Sequence, residues 1–187
     1  RTTLVVNSDD TILDHIWAWR ADHGNGVAWT VNTADYGVVV NGDDVTAYGL
    51  FVEHYQKYQT VWNGERGRTV FYQSELPYDP PSQAAWTSPT GNGWASYKVD
   101  NRVKHHEAWG LGVYAFFNQG VDIREARAIE VPQTPGVVFH DMVTVFLNGS
   151  GGIERLAGES VSEIYNELKE MQRKSPPEMM DMHSRGY

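Results

Sequence analysis

The sequence predicts an all-β chain wound as a solenoid of parallel strands, and three observations predict it. First, a short apolar run closed by a polar turn recurs: Leu4 to Asp10, Val38 to Asp44, Thr60 to Arg66 and, more loosely, Val145 to Gly149. Each run is β-branched or apolar and ends in a turn pair of the kind that tolerates positive φ. Second, Glu53 lies twelve residues after Asn41 and Glu75 twelve after Asn63, so both pairs are 22 residues apart. A period in the twenties, with short apolar strands between Asn-Gly turns, marks a coiled solenoid. Third, helical periodicity is absent until residue 159. Short strands with Gly and Asn turns also suit an antiparallel sandwich. Hairpins, however, would not repeat a 22-residue frame in one direction.

Strand-like runs fill the intervals: Ile12 to Trp19, Val45 to Tyr55, Arg68 to Tyr78, Trp109 to Phe117, Ile123 to Val131 and Val137 to Phe146. Other spacings are irregular, 34 residues from Asn7 to Asn41 for example, so some coils must carry inserted loops. The largest, Asp79 to Trp94, is rich in Pro and Gly and should lie over one face. Ser160 with Glu163 forms a capping-box pattern, and Val161, Ile164, Tyr165, Leu168 and Met171 follow at helical spacing. This predicts an amphipathic helix of about four turns, ended by Lys174-Ser175-Pro176-Pro177. The expected organisation is a solenoid over 1–156, a C-terminal helix over 157–174 and a mobile tail over 175–187. An open last coil leaves backbone unpaired, so the helix is expected to cap it or to dock on a partner.

Composition narrows the class of ligand. A net charge of −9 argues against nucleic acid, an anionic membrane surface and an anionic polysaccharide alike. Seven Trp and ten Tyr, by contrast, suit the apolar faces of neutral sugar rings, although any one of them can equally fill a core. The absence of cysteine excludes disulfides, thiol nucleophiles and zinc-thiolate sites. No apolar run approaches the roughly 20 residues of a membrane span. Arg1-Thr2-Thr3-Leu4 has neither an initiator Met nor the pattern of a signal peptide, so the chain is expected to be processed or excised.

In a solenoid, residues one period apart sit on neighbouring strands, about 4.7–4.9 Å apart. Glu53 and Glu75 should therefore lie side by side. Two carboxylates that close repel, which raises one pKa and keeps a proton available for transfer. Glu75, among Phe71, Tyr72, Leu76 and Pro77, is expected to gain desolvation as well and to be the acid, with Glu53 the charged neighbour that tunes it. The plainer alternative is a solvated charge ladder. Asp22-His23, in a Gly-rich loop, could line the same cleft or simply form a turn; His54 could hydrogen-bond Glu53. His105-His106-Glu107 invites a metal, but adjacent strand residues point to opposite faces, so neither metal nor cofactor is expected. Asp9-Asp10 and Asp43-Asp44 could hold calcium, though capping of turn amides is their commoner use. Asn148-Gly149-Ser150 fits a glycosylation acceptor.

Val52-Glu53-His54, followed 22 residues later by Glu75 in Gln73-Ser74-Glu75-Leu76-Pro77-Tyr78, resembles the active-site coil of family-55 glycoside hydrolases, the exo-β-1,3-glucanases or laminarinases. Trp109 to Asn118 is similar to a glycine-aromatic strand of the same proteins, and the likeness runs from about Asn7 to Gly152. It implies a right-handed, single-stranded parallel β-helix of the pectate-lyase-like kind, the C-terminal half of a tandem pair. It implies Glu75 as general acid and Glu53 as a supporting carboxylate, with Tyr78, His54, Tyr114, Phe117, Asp22 and His23 as candidates to line the substrate. The implied protein is secreted, degrades polysaccharide without a metal, and releases glucose from the non-reducing end of β-1,3-glucan with inversion. Inverting sites separate acid and base by about 6.5–9.5 Å, more than one strand spacing. Glu53 therefore suits a tuner better than a base, and the resemblance implies that the water-positioning residues come from the N-terminal β-helix of the pair, a second β-helix domain or chain. The C-terminal helix departs from the family's pattern. Two other readings remain: a solenoid that binds glycan without cleaving it, and a structural subunit that completes a partner's β-helix.

Overall fold

The computed structural model describes residues 1–157. The expected helix over 157–174 and tail over 175–187 lie outside the described residues, save Ala157 itself.

The chain passes back and forth between two five-stranded sheets. The first contains, in spatial order, β1 (Thr2–Val6), β3 (Tyr36–Val40), β5 (Thr60–Trp62), β9 (Tyr97–Val99) and β12 (Ile129–Glu130). The second runs β2 (Ile12–Trp19), β4 (Thr46–Glu53), β6 (Gly67–Glu75), β10 (His106–Phe117) and β13 (Val137–Gly149). All neighbours in both sheets are parallel. Two short pairs complete the strands among the described residues. β7 (Thr87–Ser88) and β8 (Gly91–Asn92) are antiparallel, whereas β11 (Ile123–Glu125) and β14 (Gly151–Ile153) are parallel.

The turns stack as their repeated phrases require. Asn41 Nδ2 donates to Asn7 Oδ1 and Asn63 Nδ2 to Asn41 Oδ1, each at 2.7 Å. One residue pair further on, the Asp43 amide donates to Asp9 Oδ1 and the Glu65 amide to Asp43 Oδ1, both at 2.8 Å. The acidic residues here cap amides. The reason for glycine differs from the one expected. Positive φ falls at Asp10, Asp44 and Arg66, 52–55°, rather than at the Asn-Gly pair. Gly42 and Gly64 are required by closeness, because a Cβ on Gly42 would overlap the Ser8 carbonyl and one on Gly64 the Gly42 carbonyl.

Each long strand of the second sheet turns a corner at one residue. His15, Gly49, Phe71, Gly110 and Asp141 have φ of 49–66° and lie at the break in an otherwise continuous register. The corner shifts the in–out alternation. In β4, Ala47, Leu50 and Val52 point into the core, while Tyr48 and Phe51 point out. Strict period-two reading of these strands therefore fails at mid-strand.

Two expected strands change. The Ile123 to Val131 run divides into β11 and β12, and the phrase Val145 to Gly149 is the end of β13 in the second sheet, not another stacked turn. The next rung after Asn63 is Asp100, whose amide donates to the Trp62 carbonyl at 2.9 Å, at the end of β9. The core holds polar groups paired with each other. Tyr72 hydroxyl meets Thr60 and Ser96, and Tyr97 hydroxyl meets Thr69 Oγ1 at 2.7 Å and His106 Nε2 at 2.9 Å.

Candidate active site

The register places Trp19, Glu53, Glu75 and Tyr114 in one row across β2, β4, β6 and β10. The expected carboxylate pair is therefore present, one strand spacing apart. The row leads to strand ends where the chain departs into loops, so side chains from several coils converge there.

The environment of the pair is the reverse of the one expected. Tyr72 and Leu76 point into the core and Phe71 is exposed, so none of them desolvates Glu75, whose side chain is 23% exposed. Glu53 is the buried member. Burial raises its pKa; the Trp17 indole Nε1, donating to its Oε2 at 2.8 Å, opposes that, and the charge of Glu75 adds to it. Glu75 accepts from the Tyr78 hydroxyl on Oε2 and, more loosely, from Gln73 Nε2 at 3.4 Å on Oε1.

His54 follows β4 with φ of 68°, a left-handed conformation that turns its imidazole away from Glu53. It does not bond Glu53 as expected. Its Nδ1 donates to Asp22 Oδ2 at 2.7 Å, and its Nε2 faces Glu75 Oε2 at 3.9 Å. Asp22 is fully enclosed. Its Oδ1 lies 2.7 Å from His23 Nδ1, and its Oδ2 also accepts the Tyr78 amide at 2.7 Å. Burial would raise the Asp22 pKa; His54, the Tyr78 amide and His23 together outweigh it, and the carboxyl is held below its ordinary range. Arg20 anchors the cluster from below, donating to the His54 carbonyl at 2.5 Å, the Asn32 carbonyl at 3.0 Å and the Asp79 carboxylate. Burial raises Asp79, and the paired guanidinium opposes it.

Asp22, His23 and His54 also bring three donor atoms within 4.8 Å of one another, of types that divalent metals accept. Both imidazoles already present Nδ1 to the one carboxylate, and the triad closes by hydrogen bonds. His105-His106-Glu107 separates as alternation requires: His106 is in the core, while Glu107 meets His140 at 3.0 Å.

Aromatic rings rim the row. Tyr78 packs edge-on to His54 at 4.4 Å and stacks on His23 at 5.6 Å. Trp19 lies 6.2 Å from His54 and 6.3 Å from Trp17. Tyr114 leans back over Gly112, where a Cβ would come within 2.9 Å of its ring. Phe117 does not take part. It is 1% exposed and packs on Trp86 at 5.6 Å, inside the core. Its neighbour Phe116 faces the row, 5.0 Å from Tyr78. Sequence reasoning missed Phe116, Arg20, Asp79 and both tryptophans. The tryptophans carry a usable signal, because Trp17 and Trp19 precede Phe51 and Glu53 by the same 34 residues that separate Asn7 from Asn41.

Comparison with known proteins decides the kinship. The LAM55 pectate lyase-like domain matches residues 1–75. An exo-β-1,3-glucanase of Streptomyces sp. (strain SirexAA-E / ActE) is 53% identical over 158 residues, 84% of this chain. The chain is thus similar to the LAM55 pectate lyase-like domain over its first 75 residues and to that glucanase over 84% of its length. The structure of sacteLam55A from Streptomyces sp. SirexAA-E superposes with a TM-score of 0.82 at 54% identity, over 84% of the chain. A glutamate-to-alanine variant of that protein, refined as an ensemble in complex with glucose, matches with the same TM-score at 53% identity. The chain spans 26% of the length of the curated relative and 28–29% of the solved chains.

Proposed function

We propose that this chain is the general-acid segment of an inverting exo-β-1,3-glucanase, folded as a right-handed, single-stranded parallel β-helix. The observation that carries the reading is the row of Glu53 and Glu75 over the Asp22–His54–Tyr78 cluster, in a chain 53% identical to an exo-β-1,3-glucanase. Glu75 is the general acid. It is the more exposed carboxylate and faces the rim, so it can reach a leaving-group oxygen. Glu53, enclosed and held by Trp17, is the supporting carboxylate. One strand spacing is too short to admit a water between acid and base, which an inverting site needs over about 6.5–9.5 Å. The attacking water is accordingly handled by a second β-helix, in a secreted protein that meets its glucan outside the cell. Trp17, Trp19, His23, Tyr78, Tyr114 and Phe116 line the sugar-binding face, which suits a neutral polymer beside a chain of net charge −9.

The test is Glu75→Gln in the full-length parent with laminarin as substrate. A loss of glucose release by about 10²-fold or more is expected for removal of a general acid. Release at the wild-type rate refutes the assignment.

A further inference from the structure

We propose that His54, oriented by Asp22, is the group that returns a proton to Glu75 after each cleavage. The inference rests on Glu75 as the general acid. An acid of this kind gives up its proton once per turnover and must regain it before the next. His54 stands where that exchange is possible. Its side chain is 3% exposed, its Nε2 lies 3.9 Å from Glu75 Oε2, and a closure of about 1 Å makes a direct hydrogen bond.

Asp22 defines what His54 can do. A carboxylate with a depressed pKa is an acceptor only, so it fixes the proton on Nδ1 and leaves the Nε2 lone pair toward Glu75. It also supports the imidazolium that forms when Nε2 is protonated. The other groups around the ring are Glu75, Glu53, the His23 imidazole at 5.7 Å, the Tyr78 phenol, and Arg20 at the His54 carbonyl. The φ of 68° has a cost for a non-glycine residue. Its consequence is to swing the ring off the strand and onto the line from Asp22 to Glu75.

The cycle balances. On cleavage the Glu75 O–H bond breaks, the proton bonds to the leaving sugar oxygen, and the bond from that oxygen to the anomeric carbon breaks. Glu75 is left as a carboxylate. His54 Nε2 then takes a proton from water and passes it to Glu75 Oε2, and the hydroxide equivalent is neutralised by the proton released as water adds to the anomeric carbon. His54 acts through Glu75 and does not touch the substrate, which makes it a positioning residue. The competing account is a purely structural clamp that ties the Asp22 loop to the end of β4.

Two substrates separate these accounts in the full-length parent: laminarin, and an aryl β-glucoside with a dinitrophenolate leaving group that departs without a proton. His54→Gly suits the left-handed backbone, because glycine adopts it without strain. The expected result is about a tenfold or greater fall in kcat on laminarin, in keeping with a proton-transfer contribution. The aryl glucoside should change less than about threefold, the fold should persist in thermal melting, and added imidazole should restore part of the laminarin rate. Asp22→Asn should show the same split, without rescue. Equal loss on both substrates with no effect of imidazole assigns the clamp and overturns the proposal. If Glu75→Gln shows the substrate split and His54→Gly does not, only the proton-return role fails. If Glu75→Gln keeps full laminarin activity, the reading of Glu75 itself fails first.

Discussion

His106 should make the stability of this fold fall in acid, by an amount that the structure fixes. Its ring is 1% exposed, packed against Trp62 at 4.8 Å, Tyr97 at 5.6 Å and Phe139 at 5.7 Å. Nε2 meets the Tyr97 hydroxyl, and Nδ1 has no partner. A charged ring would carry an unpaired N–H in an aromatic core, so burial lowers the pKa from 6.5 to about 3. Between those two values the unfolded chain binds a proton that the folded chain does not. Stability from this group is therefore complete above pH 6.5 and is lost as pH falls. At about 1.4 kcal/mol per unit, the loss is about 3 kcal/mol by pH 4.5 and about 5 kcal/mol by pH 3. The perturbation is His106→Gln, which keeps a polar end of similar size for Tyr97 and does not titrate. Urea unfolding of both proteins across pH 4.5 to 8 measures the difference. The two stabilities should differ by a constant above pH 6.5 and draw together by about 3 kcal/mol below it. Parallel curves throughout would refute the argument, since they would mean that the folded core accepts the charge.

Two further outcomes follow from the packing. Phe117→Ala should cost about 3–5 kcal/mol by opening a cavity against Trp86, whereas Phe116→Ala should leave the melting temperature nearly unchanged and raise KM for glucan in the parent enzyme; an equal loss of stability in both would contradict the assigned faces. Gly64→Ala places a methyl on the Gly42 carbonyl, backbone against backbone. The cost should be at least about 1–3 kcal/mol, read as a fall of roughly 2–12 °C in melting temperature, and an unchanged melt would mean that the turns are not stacked so closely.

The turn ladder and the stacked glutamates were legible because each is a matter of spacing. A parallel coil adds a fixed number of residues per turn, so Asn41 and Asn63 or Glu53 and Glu75 meet whenever the interval repeats. The 34-residue interval from Asn7 extends the same logic to Trp17 and Trp19. The choice of Phe117 over Phe116 failed for a local reason. Gly110 takes a left-handed φ of 66° and shifts the alternation by one residue, so the inward set becomes Leu111, Val113, Ala115 and Phe117. Nothing in the run Trp109 to Phe117 announces that slip, since glycine tolerates many conformations.

The electrostatics divide in the same way. Sequence alone determined that two carboxylates stack on parallel strands, because strand pairing in a coil is set by interval. Which of them is buried was decided by the tertiary structure. Ser74 and Leu76, beside Glu75 in sequence, turn into the core and leave its carboxylate partly exposed. Glu53 is covered by Trp17, and His54 is claimed by Asp22, partners 36 and 32 residues away. Desolvation depends on what folds over a group, and neighbours in the chain point away from one another on a strand.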